Sequence, residues 1–278
     1  MKQAWRLLMF LPNLLAGCSS AELVNSLVPT DDYRLVADLA YGADPRQKLD
    51  LYVPRAGQAP YRVVVFFYGG NWQTGSKADY RFMGEALASQ GFIVALPDYR
   101  LYPEVRYPGF IEDSAAAVQW TLAHIGEYGG DSDKVSVMGH SAGAYNALML
   151  ALDKDWLGPA RGRIKSAVGL AGPYDFLPLT DPTLQIIFAT EPDLARTQPI
   201  TYADGDAPPV LLEHGRLDDT VYLRNSARLA ARIEEHGGKA ELRTHWLLGH
   251  VTLIGAMATP LRFLAPVRDE VVDFLNAH

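Results

Sequence analysis

Six apolar runs recur along the chain: VVVFFY (63–68), FIVALP (92–97), KVSVMG (134–139), IKSAVGLAG (164–172), PVLLEHG (209–215) and AELRTHWL (240–247). Most are rich in β-branched or aromatic residues and lack the alternation of a half-exposed strand, so they predict strands buried on both faces. Helical patterns fall between them, at about 77–90, 109–126, 142–152, 220–236 and 263–277. Two earlier strands are predicted in YRLVADLAYG and QKLDLYVP, joined by a turn around Asp44-Pro45. Strands that alternate with helices pack as a mostly parallel sheet covered by helices on both faces. Working residues in such sheets gather at the carboxyl ends of the strands. With 278 residues, 49% of them hydrophobic, the chain can bury one sizeable α/β core.

The charge of −7 and pI near 5.5 exclude a nucleic-acid groove, and no basic cluster resembles a phosphate-tracking stripe. Small or neutral partners are expected. Neither a His/Asp/Glu set at metal-ligand spacing nor a dinucleotide-binding glycine fingerprint is visible along the sequence, so no metal or organic cofactor is expected. The opening stretch MKQAWRLLMFLPNLLAGC resembles a bacterial lipoprotein signal. Its apolar run, interrupted at Pro12-Asn13, is too short to span a bilayer and reads as removable targeting. This predicts a signal peptide at 1–17, a lipidated Cys18 that anchors the protein to a cell-envelope membrane, a tether over 18–30 and a catalytic domain over 31–278. Cys18 is the only cysteine, which rules out an intrachain disulfide.

Gly139-His140-Ser141-Ala142-Gly143 lies between a strand and a helix. A serine between those glycines occupies a sharp turn that presents its hydroxyl, and the helix that begins there aims its amides at negative charge forming nearby. Ser141 is therefore the candidate nucleophile. It needs a base, which in turn needs an orienting acid. Of seven histidines, His250 in LLGHVTLI lies in a Gly-His loop just past the last strand and is the base candidate. For the acid, Asp218 and Asp219 in HGRLDDTV both follow a strand, with Asp175 in LAGPYDF as an outside choice. Gly69-Gly70 ends another strand, where bare backbone serves either a plain turn or the close approach of a ligand atom.

Together FYGGNWQTGSK, PDYRLYPEVRYPGFIEDSAAAVQW, GHSAGAYNA, HGRLDDTV and GHVTLI resemble the α/β-hydrolases. The narrower likeness is to the esterase group of hormone-sensitive-lipase relatives and bifunctional acetylxylan/feruloyl-type esterases, over roughly residues 35–277. The resemblance implies an α/β-hydrolase fold with a Ser141, Asp218, His250 triad, Asp218 being the acid that matches the family's His-Gly-x-x-Asp-x-x-Val pattern. It also implies an oxyanion hole from the N–H groups of Gly70, Asn71 and Ala142. Many relatives carry His where this chain has Tyr68. Asp98, Arg100 and Glu104 are expected to brace loops, and Tyr68, Trp72, Tyr145, Tyr174 and Phe176 are candidate pocket residues. About 36 residues separate Pro173 from Pro209, enough for a small helical lid. The activity implied is hydrolysis of short-chain or aromatic esters, with an arylformamidase-like reaction and a non-catalytic binding scaffold as the alternatives.

Overall fold

The computed structural model describes residues 20–278; the expected signal peptide at 1–17 and Cys18 lie outside the described residues. Eight strands form one sheet: β1 (Tyr33–Ala40), β2 (Lys48–Pro54), β3 (Tyr61–Phe67), β4 (Phe92–Pro97), β5 (Gly130–His140), β6 (Ile164–Leu170), β7 (Val210–Gly215) and β8 (Ala240–His245). Their order is β1-β2-β4-β3-β5-β6-β7-β8. The β1–β2 and β2–β4 pairs run antiparallel, and every pair from β4–β3 to β7–β8 is parallel.

The helices are α1 (Ser20–Ser26), α2 (Arg81–Ala88), α3 (Gly109–His124), α4 (Ala142–Leu152), α5 (Lys154–Leu157), α6 (Pro182–Phe188), α7 (Arg224–Glu235), α8 (His250–Gly255) and α9 (Val267–Ala277). Periodicity explains their placement. In α7 the buried residues Asn225, Ser226, Leu229, Ala230 and Ile233 return every three to four positions, giving one face to the core and one to water. All of α4 is buried, as the largely apolar sequence AYNALMLAL requires, with its one polar residue Asn146 hydrogen-bonded to Trp72 and Ser114. Helix α4 packs on β5, β6 and β3, so the turn before it is held between a buried helix and the centre of the sheet.

Where the fold departs from the sequence reading, local chemistry gives the reason. The segment expected as a tether is helical from Ser20 and docks on the domain. Asn25 donates to the carbonyls of Ala78 and Asp79, each at 3.0 Å, and its Oδ1 accepts from Phe82 N–H at 3.0 Å. Phe82 is the second residue of α2, so Asn25 satisfies a helix-terminal N–H that has no intrahelical acceptor. His250 does not sit in an open loop but starts α8, with Gly249 in extended conformation before it. Between β6 and β7 the lid is a single short helix, α6, capped by Asp181, and two 3-10 turns.

Asn25→Ala should lower unfolding free energy by about 1 kcal/mol, the usual scale of a lost helix cap. It should also make residues 20–30 the first site of limited proteolysis. Unchanged stability and cleavage would mean that α1 contributes nothing to the domain.

Candidate active site

Strand β5 passes into α4 through Ser141, whose φ of 54° and ψ of −123° are strained for a residue with a side chain. The flanking glycines allow the turn. A Cβ on Gly139 would meet the Gly143 carbonyl oxygen at 2.1 Å, and one on Gly143 would meet that of Phe67 at 2.1 Å. Ser141 N–H donates to Leu170 O at 2.9 Å, tying the turn to β6. These constraints leave the Ser141 hydroxyl at the carboxyl edge of the sheet. There its Oγ lies 2.9 Å from His250 Nε2.

The other ring nitrogen of His250, Nδ1, lies 2.8 Å from Asp218 Oδ2. A carboxylate only accepts, so Nδ1 carries the proton and Nε2 accepts from Ser141. Asp218 is the better held of the two candidate acids. Its Oδ1 accepts from Thr220 N–H at 3.0 Å and Val221 N–H at 2.8 Å, while His214 Nε2 stands 3.3 Å from Oδ2. Burial by itself raises the Asp218 pKa, but hydrogen bonds from His214, His250 and Val221 outweigh it and hold the carboxyl well below the usual range. Asp219 is exposed, and Asp175 pairs with Arg228 at 2.8 Å instead.

A second histidine lies directly behind this line. The His140 ring is buried, with its centroid 4.8 Å from that of His250. Its Nε2 lies 3.3 Å from the His250 carbonyl, which only accepts, so the proton is on Nε2 and Nδ1 accepts from Tyr80 Oη at 3.2 Å. Tyr80 Oη accepts in turn from Gly69 N–H at 3.3 Å. One neutral imidazole thus joins the glycine loop to the backbone of His250. Neither Tyr80 nor His214 stands out in the sequence, although His214 opens the HGRLDD motif.

The loop after β3 approaches the serine closely. A Cβ on Gly69 would sit 2.9 Å from Ser141 Cβ, so that position must be bare. Gly70, at φ +132°, closes a turn in which its carbonyl accepts from Gln73 and Thr74 N–H at 2.9 and 3.0 Å. Asn71 and Ala142 line a cleft of about 390 Å³ beside Ser141, together with Trp72, Phe176, Leu179 and Leu184. As the first residue of α4, Ala142 has an N–H with no intrahelical acceptor.

Three aromatic candidates for the pocket are corrected. Tyr68 is fully buried between the rings of Tyr80 and Tyr99, its Oη accepting from Arg46 Nη2 at 2.8 Å. Tyr145 is buried beneath Trp72 and donates to Thr197 O at 2.8 Å. Tyr174 is wholly enclosed near Gly169 and Gly172. Only Trp72 of that set, with Phe176, reaches the cleft; its Nε1 donates to Asn146 Oδ1 at 3.0 Å, which fixes the ring. Among the proposed braces, Asp98 accepts from Lys77 N–H at 2.7 Å and Arg100 pairs with Asp113 at 2.7 Å, but Glu104 is exposed.

Burial pushes the His140 imidazole down to about 3, and the adjacent His250 adds to the shift. An unfolded chain protonates histidine near pH 6.5. The stability gained by keeping His140 neutral is therefore complete above about pH 6.5 and is lost as pH falls toward about 3. Between pH 6.5 and 4, wild type should lose about 3 kcal/mol more stability than His140→Gln, which cannot take the proton. Parallel stability profiles for the two proteins would refute this reading of His140.

Among known proteins, the BD-FAE family model matches residues 49–233. The chain is 31% identical over 229 residues to a probable isoprenylcysteine alpha-carbonyl methylesterase of Arabidopsis thaliana, an alignment covering 73% of this chain and 48% of that protein. It is 33% identical over 215 residues to the probable carboxylic ester hydrolase LipM of Mycobacterium tuberculosis, covering 68% of this chain and 49% of that one. The chain thus spans about half the length of these curated relatives. Its fold superimposes on a truncated carbohydrate esterase from gut microbiota with a TM-score of 0.74 at 20% identity, covering 90% of this chain and 98% of that one. Thermogutta terrifontis esterase 2 gives 0.72 at 23% identity, covering 90% and 96%. The match from β2 through α7 takes in the serine turn, the glycine loop and Asp218, and by it the chain belongs to the BD-FAE family.

Proposed function

We propose that this protein is a serine hydrolase that cleaves carboxylic esters of short or aromatic acyl groups through an acyl-enzyme. The observation that carries the reading is the hydrogen-bonded line from Asp218 through His250 to Ser141, at 2.8 and 2.9 Å, ending beside an open cleft. His250 takes the Ser141 proton as Oγ attacks the ester carbonyl, and Asp218 stabilises the imidazolium that forms. N–H groups of Ala142 and of the Gly70-Asn71 turn bind the oxyanion. Collapse of the tetrahedral intermediate breaks the ester C–O bond, and His250 gives its proton to the departing alkoxide. Water then repeats the sequence on the acyl-serine, releasing the acid and restoring Ser141.

The cleft supports this substrate class. A volume of about 390 Å³ with Trp72, Phe176, Leu179 and Leu184 on its walls suits a compact or aromatic acyl group. The named activities of the relatives, methyl-ester, carboxylic-ester and carbohydrate-ester hydrolysis, support ester chemistry of this kind.

Purified protein should turn over p-nitrophenyl acetate and butyrate, and Ser141→Ala and His250→Ala should each remove nearly all activity. Asp218→Asn should lower kcat by about 10⁴, since the amide favours the wrong imidazole tautomer. Asp219→Asn, on an exposed residue, should change it less than a few-fold. Steady-state kinetics on folded variants decide the matter: wild-type turnover in Ser141→Ala, or the reverse ranking of the two aspartates, would overturn these roles.

A further inference from the structure

No metal-ligand set is legible along the sequence, yet the fold assembles one from three separate elements. Glu213 of β7, His245 at the end of β8 and Glu270 of α9 bring one ligand atom each to within 4.8 Å of one another. Successive residues of a strand point to opposite faces. Glu213 therefore faces α9, whereas its neighbour His214 faces Asp218, and the two sites stay separate.

The cluster has fewer donors than its acceptors need. Glu213 has a side chain with 0% exposure, and its Oε1 has no hydrogen-bond partner among the described residues; the buried Oε2 of Glu270 has none either. His245 Nε2 can offer one N–H, and it stands 2.7 Å from Glu213 Oε2 and 3.5 Å from Glu270 Oε2. A single proton on that nitrogen cannot serve two carboxylates. The nearest guanidinium on the same strand, Arg243, is committed to Glu241 at 2.8 Å. Two acids and one imidazole are thus packed together with orphaned oxygens, and each buried group left unpaired is costly. A cation in place of the shared proton removes that cost.

We propose that Glu213, His245 and Glu270 bind a divalent transition cation of the zinc type, which clamps α9 to β7 and β8. One imidazole nitrogen and two carboxylate oxygens are a three-ligand zinc set, with water as the fourth ligand. Zinc bonds of about 2.0–2.2 Å put tetrahedral ligand atoms roughly 3.4 Å apart. The His245–Glu270 separation of 3.5 Å already suits this, and the 2.7 Å His245–Glu213 contact opens when the proton leaves. Because β8 ends at His245, the clamp sits at the root of the connection that leads to His250. Its role is to hold that root, apart from the ester chemistry itself.

The test is zinc chloride titration of the chelator-stripped, purified protein, read by calorimetry and by melting temperature. One equivalent should bind, and free zinc at a hundredfold excess over Kd should raise Tm by about 5 °C or more. Glu270→Gln, at a position whose side chain is 25% exposed and tolerant of substitution, should weaken binding at least about tenfold, and so should Glu213→Gln. His250→Ala should keep the full equivalent, which separates this site from zinc held at Ser141. Absence of stoichiometric binding, equal affinity in wild type and Glu270→Gln, or loss of the equivalent in His250→Ala would each overturn the proposal.

Discussion

The strained backbone of Ser141 is the constraint on which the site depends. A side-chain-bearing residue at positive φ persists only where the surroundings over-determine it. Here β5 and β6 grip the turn through the Ser141–Leu170 hydrogen bond, and α4, buried along its whole length, prevents relaxation from the other side. Any side chain at Gly139 or Gly143 would push these elements apart. The strain is thus maintained by a core far larger than the site, and it keeps one hydroxyl fixed opposite His250.

Histidines then divide the work by environment. His250 keeps its Nε2 toward the serine because Asp218 accepts the hydrogen bond from Nδ1–H. His214 adds a further contact to that aspartate and is itself fixed between Val221 O and Ser226 Oγ, at 2.7 and 2.8 Å. His140, buried and neutral, ties His250 to the glycine loop through Tyr80. The electrostatic result is a carboxylate that stays ionised far into the acid range beside a histidine that resists protonation. The carboxylate keeps the His250 ring in one tautomer.

Much of this was legible in the sequence because it is written in local patterns. Continuous apolar runs marked six of the eight strands to within a few residues, and the GHSAG, HGRLDD and GHV segments each sit where a strand ends, so Ser141 and His250 could be singled out before any distance was known, whereas Asp218 was separated from Asp219 only by the family's His-Gly-x-x-Asp-x-x-Val pattern. What was not legible depends on packing between distant segments. Aromatic residues near the motifs looked like pocket walls, but stacking with Tyr80 and Tyr99 draws Tyr68 inward and an edge-to-face contact with Trp72 draws Tyr145 inward. The docked α1 depends on one Asn25 side chain meeting α2, 57 residues away. Glu213, His245 and Glu270 likewise meet only because β7, β8 and α9 do, and no spacing along the chain announces them.

The central claim is that Ser141 is a nucleophile activated by the His250–Asp218 pair. The most direct measurement is reaction with a fluorophosphonate probe, followed by peptide mapping by mass spectrometry. Displacement of fluoride should leave a single phosphonyl adduct on Ser141, formed rapidly in wild type and far more slowly when Asp218 is Asn. A folded protein that stays unlabelled, or that carries the adduct on another residue, would contradict it.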